Sequence, residues 1–201
     1  MGQDKGLMIL EENPLIIHIL KTLEELVDEI ILVLRDKTQL NSYERLINDH
    51  RHCLKDSDSQ IKLVTDLEMD KGPLVGLITG LSHVKAKGAL VLPCDSPYLS
   101  HDFINNVFEM VFELNNSNME NEFMAIVPKW PDGSVEPLHA YYFKECIPAI
   151  KSILHNGLRD VKSLHQKINV DYVDVEVLDP EKSSFKNLNS PEDLYSFSKE
   201  Y

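Results

Sequence analysis

The feature that most constrains this chain is a set of short, unbroken apolar runs. Glu29–Leu34 reads Glu-Ile-Ile-Leu-Val-Leu, Ala89–Leu92 repeats the pattern, and Ile61–Val64 does so with Lys62 as its one polar residue. Aliphatic runs without polar alternation predict strands buried on both faces. Phe123–Val127 predicts a fourth strand, and Leu138–Phe143 and Tyr172–Val177 predict weaker ones. The last alternates Val173, Val175 and Val177 with acidic residues, as a strand with one wet face does.

Helical stretches separate these runs. Pro14–Val27 places Leu15, Ile19, Leu23 and Leu26 on one face, with Asn13 as the expected cap. Leu40–Asn48, Leu74–Val84, Cys146–Leu154 and Val161–Lys167 follow the same logic, and Ser100 is placed to cap Asp102–Leu114. A final helix is expected behind Ser190, with Pro191, Glu192 and Asp193 in its first turn. Asn115–Asn121 is polar enough to be a surface loop. Apolar strands alternating with helices predict an α/β fold, a mostly parallel sheet covered on both faces. A length of 201 residues suits a single domain.

Composition excludes several functions. The formal net charge is −13, from 20 basic and 33 acidic side chains. That balance argues against nucleic acid as a partner, because phosphate backbones need a basic surface. It leaves room for small phosphorylated substrates, which need only a local pocket. The three cysteines, Cys53, Cys94 and Cys146, are isolated and fit a reducing compartment. No apolar run approaches the ~20 residues of a membrane span, and the first residues lack a signal-peptide layout. The expectation is a cytoplasmic protein with no membrane partner.

Four stretches can carry chemistry. In open α/β sheets, ligands bind outside the carboxyl ends of the strands. Asp95, at the exit of Ala89–Leu92, is placed there, as a metal carboxylate or as an Asx turn before Pro97. Lys5, between Gly2 and Gly6, is either a point charge for a triphosphate or a solvated lysine. Gly72-Pro73-Leu74-Val75-Gly76 turns into a helix whose N-terminus can receive an anion or a base edge, or is a plain turn. Asn189 precedes a capped helix, as a second oxygen ligand or as part of the cap. The eight histidines show no HxxxH pattern; His139 and His165 read by themselves as surface or core residues. No Walker A motif and no GxSxG elbow is present.

Taken in order, these stretches resemble one family. Met1-Gly-Gln-Asp-Lys-Gly-Leu is similar to the end of a signature written Leu-x-Gly-Gly-x-Ser-x-Arg-Met-Gly-x-Asp-Lys. Asn13-Pro14-Leu15-Ile16, Asp66 with Gly72–Gly76, Pro93-Cys94-Asp95-Ser96-Pro97-Tyr98, Pro137-Leu138-His139-Ala140 and Asn187–Leu194 follow. This is the pattern of the molybdenum cofactor guanylyltransferases, the MobA family. The resemblance implies a Rossmann-like, three-layer nucleotidyltransferase domain that joins GTP to molybdopterin with Mg²⁺ as cofactor, releasing pyrophosphate. It implies that Lys5 contacts the phosphates and that Asp66, Gly72, Pro73 and Leu74 belong to the nucleotide site. It implies that Asp95 binds Mg²⁺, with Asn189 as a second oxygen. His139, Asn187 and Asn189 would fall on the pterin side.

Two departures stand out. The family's first strand and most of its glycine-rich loop would lie before Met1, and that strand is normally central. The expectation is a natural protein whose start lies upstream, at the cost here of the N-terminal strand. Leu34-Arg35-Asp36 also lacks the Asn the family often places near the guanine. Related cytidylyl- or guanylyltransferases acting on other phosphates are the alternative within the enzyme class. A nucleotide- or pterin-binding chain without catalysis, partnered with another cofactor-assembly protein, is the alternative outside it.

Overall fold

The computed structural model describes residues 4–54, 60–66, 72–116 and 123–188. A 3-10 turn at Lys5–Leu7 leads into a tight hairpin of β1 (Ile9–Leu10) and β2 (Asn13–Pro14). Its turn residues, Glu11 and Glu12, both take left-handed backbone, φ 46° and 71°, as a two-residue hairpin requires. The Leu15 N–H then donates to the Met8 carbonyl at 2.8 Å, and α1 (Leu15–Leu23) begins. The expected Asn13 cap is therefore not made. Asn13 lies in β2, Pro14 takes the cap position without a side-chain bond, and the Asn13 amide donates to the Glu11 carbonyl.

β3 (Glu29–Leu34), α2 (Lys37–Asp49) and β4 (Gln60–Thr65) form a parallel βαβ unit, in register from Glu29↔Gln60 to Leu34↔Thr65. α3 (Pro73–His83), β5 (Gly88–Val91) and α4 (His101–Asn116) follow. Ser100 caps α4 as expected, its Oγ accepting from the Phe103 N–H at 2.9 Å. Next come β6 (Ala125–Lys129), β7 (Ala140–Phe143), α5 (Ile147–His155), α6 (Val161–His165), β8 (Val170–Asp174) and α7 (Val175–Leu178). These strands make a sheet of order β5-β7-β6-β8, with β6 and β8 parallel and β7 antiparallel to both neighbours.

The last strand stops earlier than the valine alternation predicts. Val175 and Leu178, three apart, turn onto one helical face and are fully buried, while Val177 is left exposed. Burying that pair outweighs continuing the strand. Asn115 and Asn116 end α4 rather than open a loop; residues 117–121 and the helix expected behind Ser190 lie outside the described residues.

The strand residues alternate between two buried clusters. Ile126, Tyr141 and Phe143 pack with α1 and α4, whereas Ala125, Val127 and Tyr142 pack with α3 and α5. The molecule is thus a three-layer α/β fold, helices on each face of the sheet. Among the described strands, β3 and β5 each pair on one side only. Between their open edges runs an apolar slot of about 930 Å³, lined by Leu32, Val33, Leu90 and Val91 and covered by Ile19 of α1 and Leu77 of α3. No helix among the described residues is long and apolar enough to cross a membrane.

Candidate active site

The site is built where strands end. At the front of the chain, Asp4 accepts three bonds, one from its own turn and two from α2. Its Oδ1 accepts from the Gly6 N–H at 3.2 Å and from the Tyr43 hydroxyl at 2.9 Å, and its Oδ2 accepts from the Gln39 amide at 2.6 Å. Burial first, and the Asp4 charge second, push the Tyr43 phenol far up, so it stays a donor. Gly6 must be glycine, because a Cβ there would run into the Tyr43 hydroxyl. These contacts present Lys5 outward, where its Nζ meets Asp95 Oδ2 at 2.7 Å. Asp95 follows β5 through Leu92-Pro93-Cys94, and its carbonyl accepts from the Leu188 N–H at 2.8 Å.

A second group forms at the end of β4. The Asp66 N–H donates to the Leu34 carbonyl at 2.7 Å, extending the β3–β4 ladder by one bond. Its Oδ1 is buried with no hydrogen-bond partner. Burial holds the Asp66 carboxyl above the usual carboxylate range, opposed in part by a Thr79 contact. A Cβ on Gly76 would lie 3.8 Å from that Oδ1, so Asp66 faces the first turns of α3. Gly72 caps α3 with φ 83° and ψ 177°, a backbone region open essentially to glycine alone. Pro73 occupies the first turn, and Leu74 is fully buried in the core. Leu74 therefore offers the site backbone only.

A third group is a buried polar chain. His139 Nε2 lies 3.0 Å from Ser96 Oγ, and the Ser96 hydroxyl donates to Asn187 Oδ1. Glu136 Oε2 stands 3.6 Å from His139 Nδ1, and Glu136 Oε1 accepts from the Trp130 indole at 2.7 Å. Burial would raise the Glu136 carboxyl, but the His139 and Trp130 contacts outweigh it and hold it low. His139 is 1% exposed, so it is a core histidine that nonetheless reaches the site through Ser96.

The structure thus joins Lys5 to Asp95, Asp66 to Gly72–Gly76, and His139 to Asn187. Gln39 and Tyr43, beside the first group, and Pro73 and Gly76, beside the second, line the same slot, together with Pro93 and Cys94. Asn189 lies outside the described residues. Sequence reasoning missed Asp4, Tyr43, Ser96 and Glu136 as parts of the site. Asp4 and Ser96 lie inside motifs that match the family pattern, whereas Glu136 and Tyr43 give no signal before the fold places them. Among the described residues, no group of three or more His, Cys, Asp or Glu side chains is arranged to hold a metal. A cation here would rest on the Asp95 carboxylate and on substrate oxygens, a donor set that suits Mg²⁺.

The three-layer α/β fold is that of a nucleotidyltransferase-type domain, and Lys5 and Asp95 meet at its strand exits. The MobA-like NTP transferase domain model matches residues 1–169, and the chain belongs to that family. It is 34% identical over 194 residues to a probable molybdenum cofactor guanylyltransferase of Methanothermobacter thermautotrophicus, covering 96% of this chain and 90% of that one. A probable molybdenum cofactor guanylyltransferase of Methanosarcina mazei is 28% identical over 195 residues, covering 95% and 80%. The crystal structure of molybdopterin-guanine dinucleotide biosynthesis protein A from Archaeoglobus fulgidus shares the fold. Its TM-score is 0.76 at 23% identity, covering 97% of this chain and 89% of that one.

Proposed function

We propose that this chain transfers GMP from GTP to the phosphate of molybdopterin and releases pyrophosphate. The Lys5–Asp95 pair at 2.7 Å carries the reading, because it places a cation and a carboxylate together at the exit of β5. The names of the relatives supply the substrates, and Asp66 supports the choice of base. Guanine presents two adjacent donors on its pairing edge, and a buried carboxylate oxygen without a partner is the acceptor such an edge needs.

The chemistry asks little of the protein beyond placement. An oxygen of the acceptor phosphate attacks the α-phosphorus of GTP, and the bond from that phosphorus to the β-phosphate oxygen breaks. A phosphate monoester has a second pKa of ~6, so at neutral pH the nucleophile is already ionised and no general base is required. The obstacle is one anion approaching another, which positioning and charge neutralisation remove. Lys5 exchanges Asp95 for the phosphates of the nucleotide. Asp95 would hold Mg²⁺, with Asn189 as a second oxygen, and the bound ion would neutralise phosphate charge. Asp66 and the first turn of α3 hold the base, and the Asn187 side carries the acceptor.

The test is calorimetry with GTP, CTP and ATP in Mg²⁺, followed by pyrophosphate release on adding molybdopterin. GTP is expected to bind tightest and to turn over only with the acceptor present. Tighter binding of CTP would reject the guanylyl assignment. Binding of GTP without any turnover would favour a nucleotide-binding chain.

A further inference from the structure

The buried polar chain behind Asp95 has a direction. The Ser96 hydroxyl owns one proton and donates it to Asn187 Oδ1. Its bond to His139 at 3.0 Å must then be donated by Nε2–H. Ser96 is 0% and His139 1% exposed, so water cannot replace either partner. A bond left unmade at such a place costs the full desolvation of the group.

The ring is held on its other sides as well. The edges of Phe103 from α4 and of Phe185 pack against it, at centroid distances of 6.4 and 5.2 Å. Glu136 Oε2 stands 3.6 Å from its Nδ1, which makes no hydrogen bond among the described residues, and the carboxylate is itself held by the Trp130 indole. The chain therefore runs from a fixed carboxylate, through a fixed ring and a buried hydroxyl, to an amide that is exposed. The Leu188 N–H, bonded to the Asp95 carbonyl, ties the backbone beside that amide to the candidate catalytic carboxylate.

We propose that Ser96, oriented by His139, positions Asn187 so that its Nδ2–H₂ faces the acceptor. Asn187 then donates a hydrogen bond to an anionic oxygen of the acceptor phosphate. This rests on the guanylyltransferase reading above. Asn187 Oδ1 is consumed by Ser96, so Asn187 serves the anion and leaves the cation to Asp95. Ser96 is not a nucleophile in this arrangement, since its hydroxyl is buried and already donating. Ser96 and His139 are positioning residues that act through Asn187.

A double-mutant cycle reads the coupling. Ser96→Ala is expected to raise the KM for molybdopterin five- to tenfold, the range for one lost hydrogen bond. The KM for GTP should stay within twofold. In an Asn187→Ala background the same substitution should change the molybdopterin KM by less than twofold. Additive effects, or an equal rise in the KM for GTP, would overturn the proposal. A measurement on the unsubstituted chain needs no turnover. In ¹⁵N-labelled protein, His139 Nε2 should carry a slowly exchanging proton with a cross-peak to the Ser96 β-protons. The Asn187 Nδ2 protons should show no such cross-peak. An unprotonated Nε2, or an Asn187 amide proton against Ser96, would overturn the orientation even if GMP transfer is established. If molybdopterin proves not to be the acceptor while the spectra hold, the transfer assignment fails and the orientation of Asn187 stands.

Discussion

Lys5 and Asp95 are 90 positions apart, and nothing local in either segment announces the other. Each alone reads as a solvated lysine or a turn aspartate; the ordered motifs single them out, and the fold puts them 2.7 Å apart. Lys5→Ala and Asp95→Ala should each lower the rate of GMP transfer by about 10²–10³, the usual cost of deleting one group that stabilises developing charge. Unchanged transfer in Asp95→Ala, measured by pyrophosphate release, would remove Asp95 from the metal role. Asp66 gives a pH-dependent prediction. Its folded-state pKa is raised by burial, so its ionisation weakens the fold above that pKa. Asp66→Asn should therefore melt higher than the parent at neutral pH. The gap should close as pH falls through the raised pKa toward the ordinary carboxylate value, where Asp66 is protonated in both states. The same variant should bind GTP more weakly, because the amide keeps only one acceptor oxygen for the two adjacent donors of the base and sets an NH₂ group in place of the other. The role of Ser96 and Glu136 was illegible for a different reason: it exists only in a chain of contacts from Trp130 and Glu136 through His139 and Ser96 to Asn187.

At the scale of elements, apolar periodicity carried most of the fold. Glu29–Leu34 forms the strand its run predicts, with no residue gained or lost. The failures share a cause. Around Asn13 and again around Val175, a tertiary contact overrode a local preference. The Met8 carbonyl recruits the Leu15 N–H, and Val175 with Leu178 finds a buried face. Gly72 is the element-scale residue with the sharpest prediction. At φ 83° and ψ 177° a side chain is strained, and its Cβ would meet the Arg159 Cβ and carbonyl at 3.2 Å. Gly72→Ala should cost about 1–3 kcal/mol in urea unfolding. It should also weaken GTP binding, since the cap sets where α3 begins. An unchanged unfolding midpoint would mean that the turn can be rebuilt.

At the scale of the molecule, the slot between β3 and β5 dominates. It leaves two strand edges and an apolar trench open, features that invite pairing with another chain. The chain of 201 residues should therefore melt low or associate at micromolar concentration, as sedimentation and calorimetry would show. A monomer with a high melting temperature would contradict this. The slot is legible only in the fold, because the apolar runs of β3 and β5 do not say which of their edges find a partner. The slot also writes a signature into β3 one amide at a time. The Asp28 and Leu34 carbonyls accept from β4, at 2.9 and 2.7 Å. By the two-residue period of a strand, Ile30 and Leu32 point their peptide groups the same way, while Ile31 and Val33 point theirs into the slot. Deuterium should therefore enter β3 in a sawtooth, fast at Ile31 and Val33 and slow at Ile30, Leu32 and Leu34. Whatever comes to lie in the slot would be recognised by flattening the teeth.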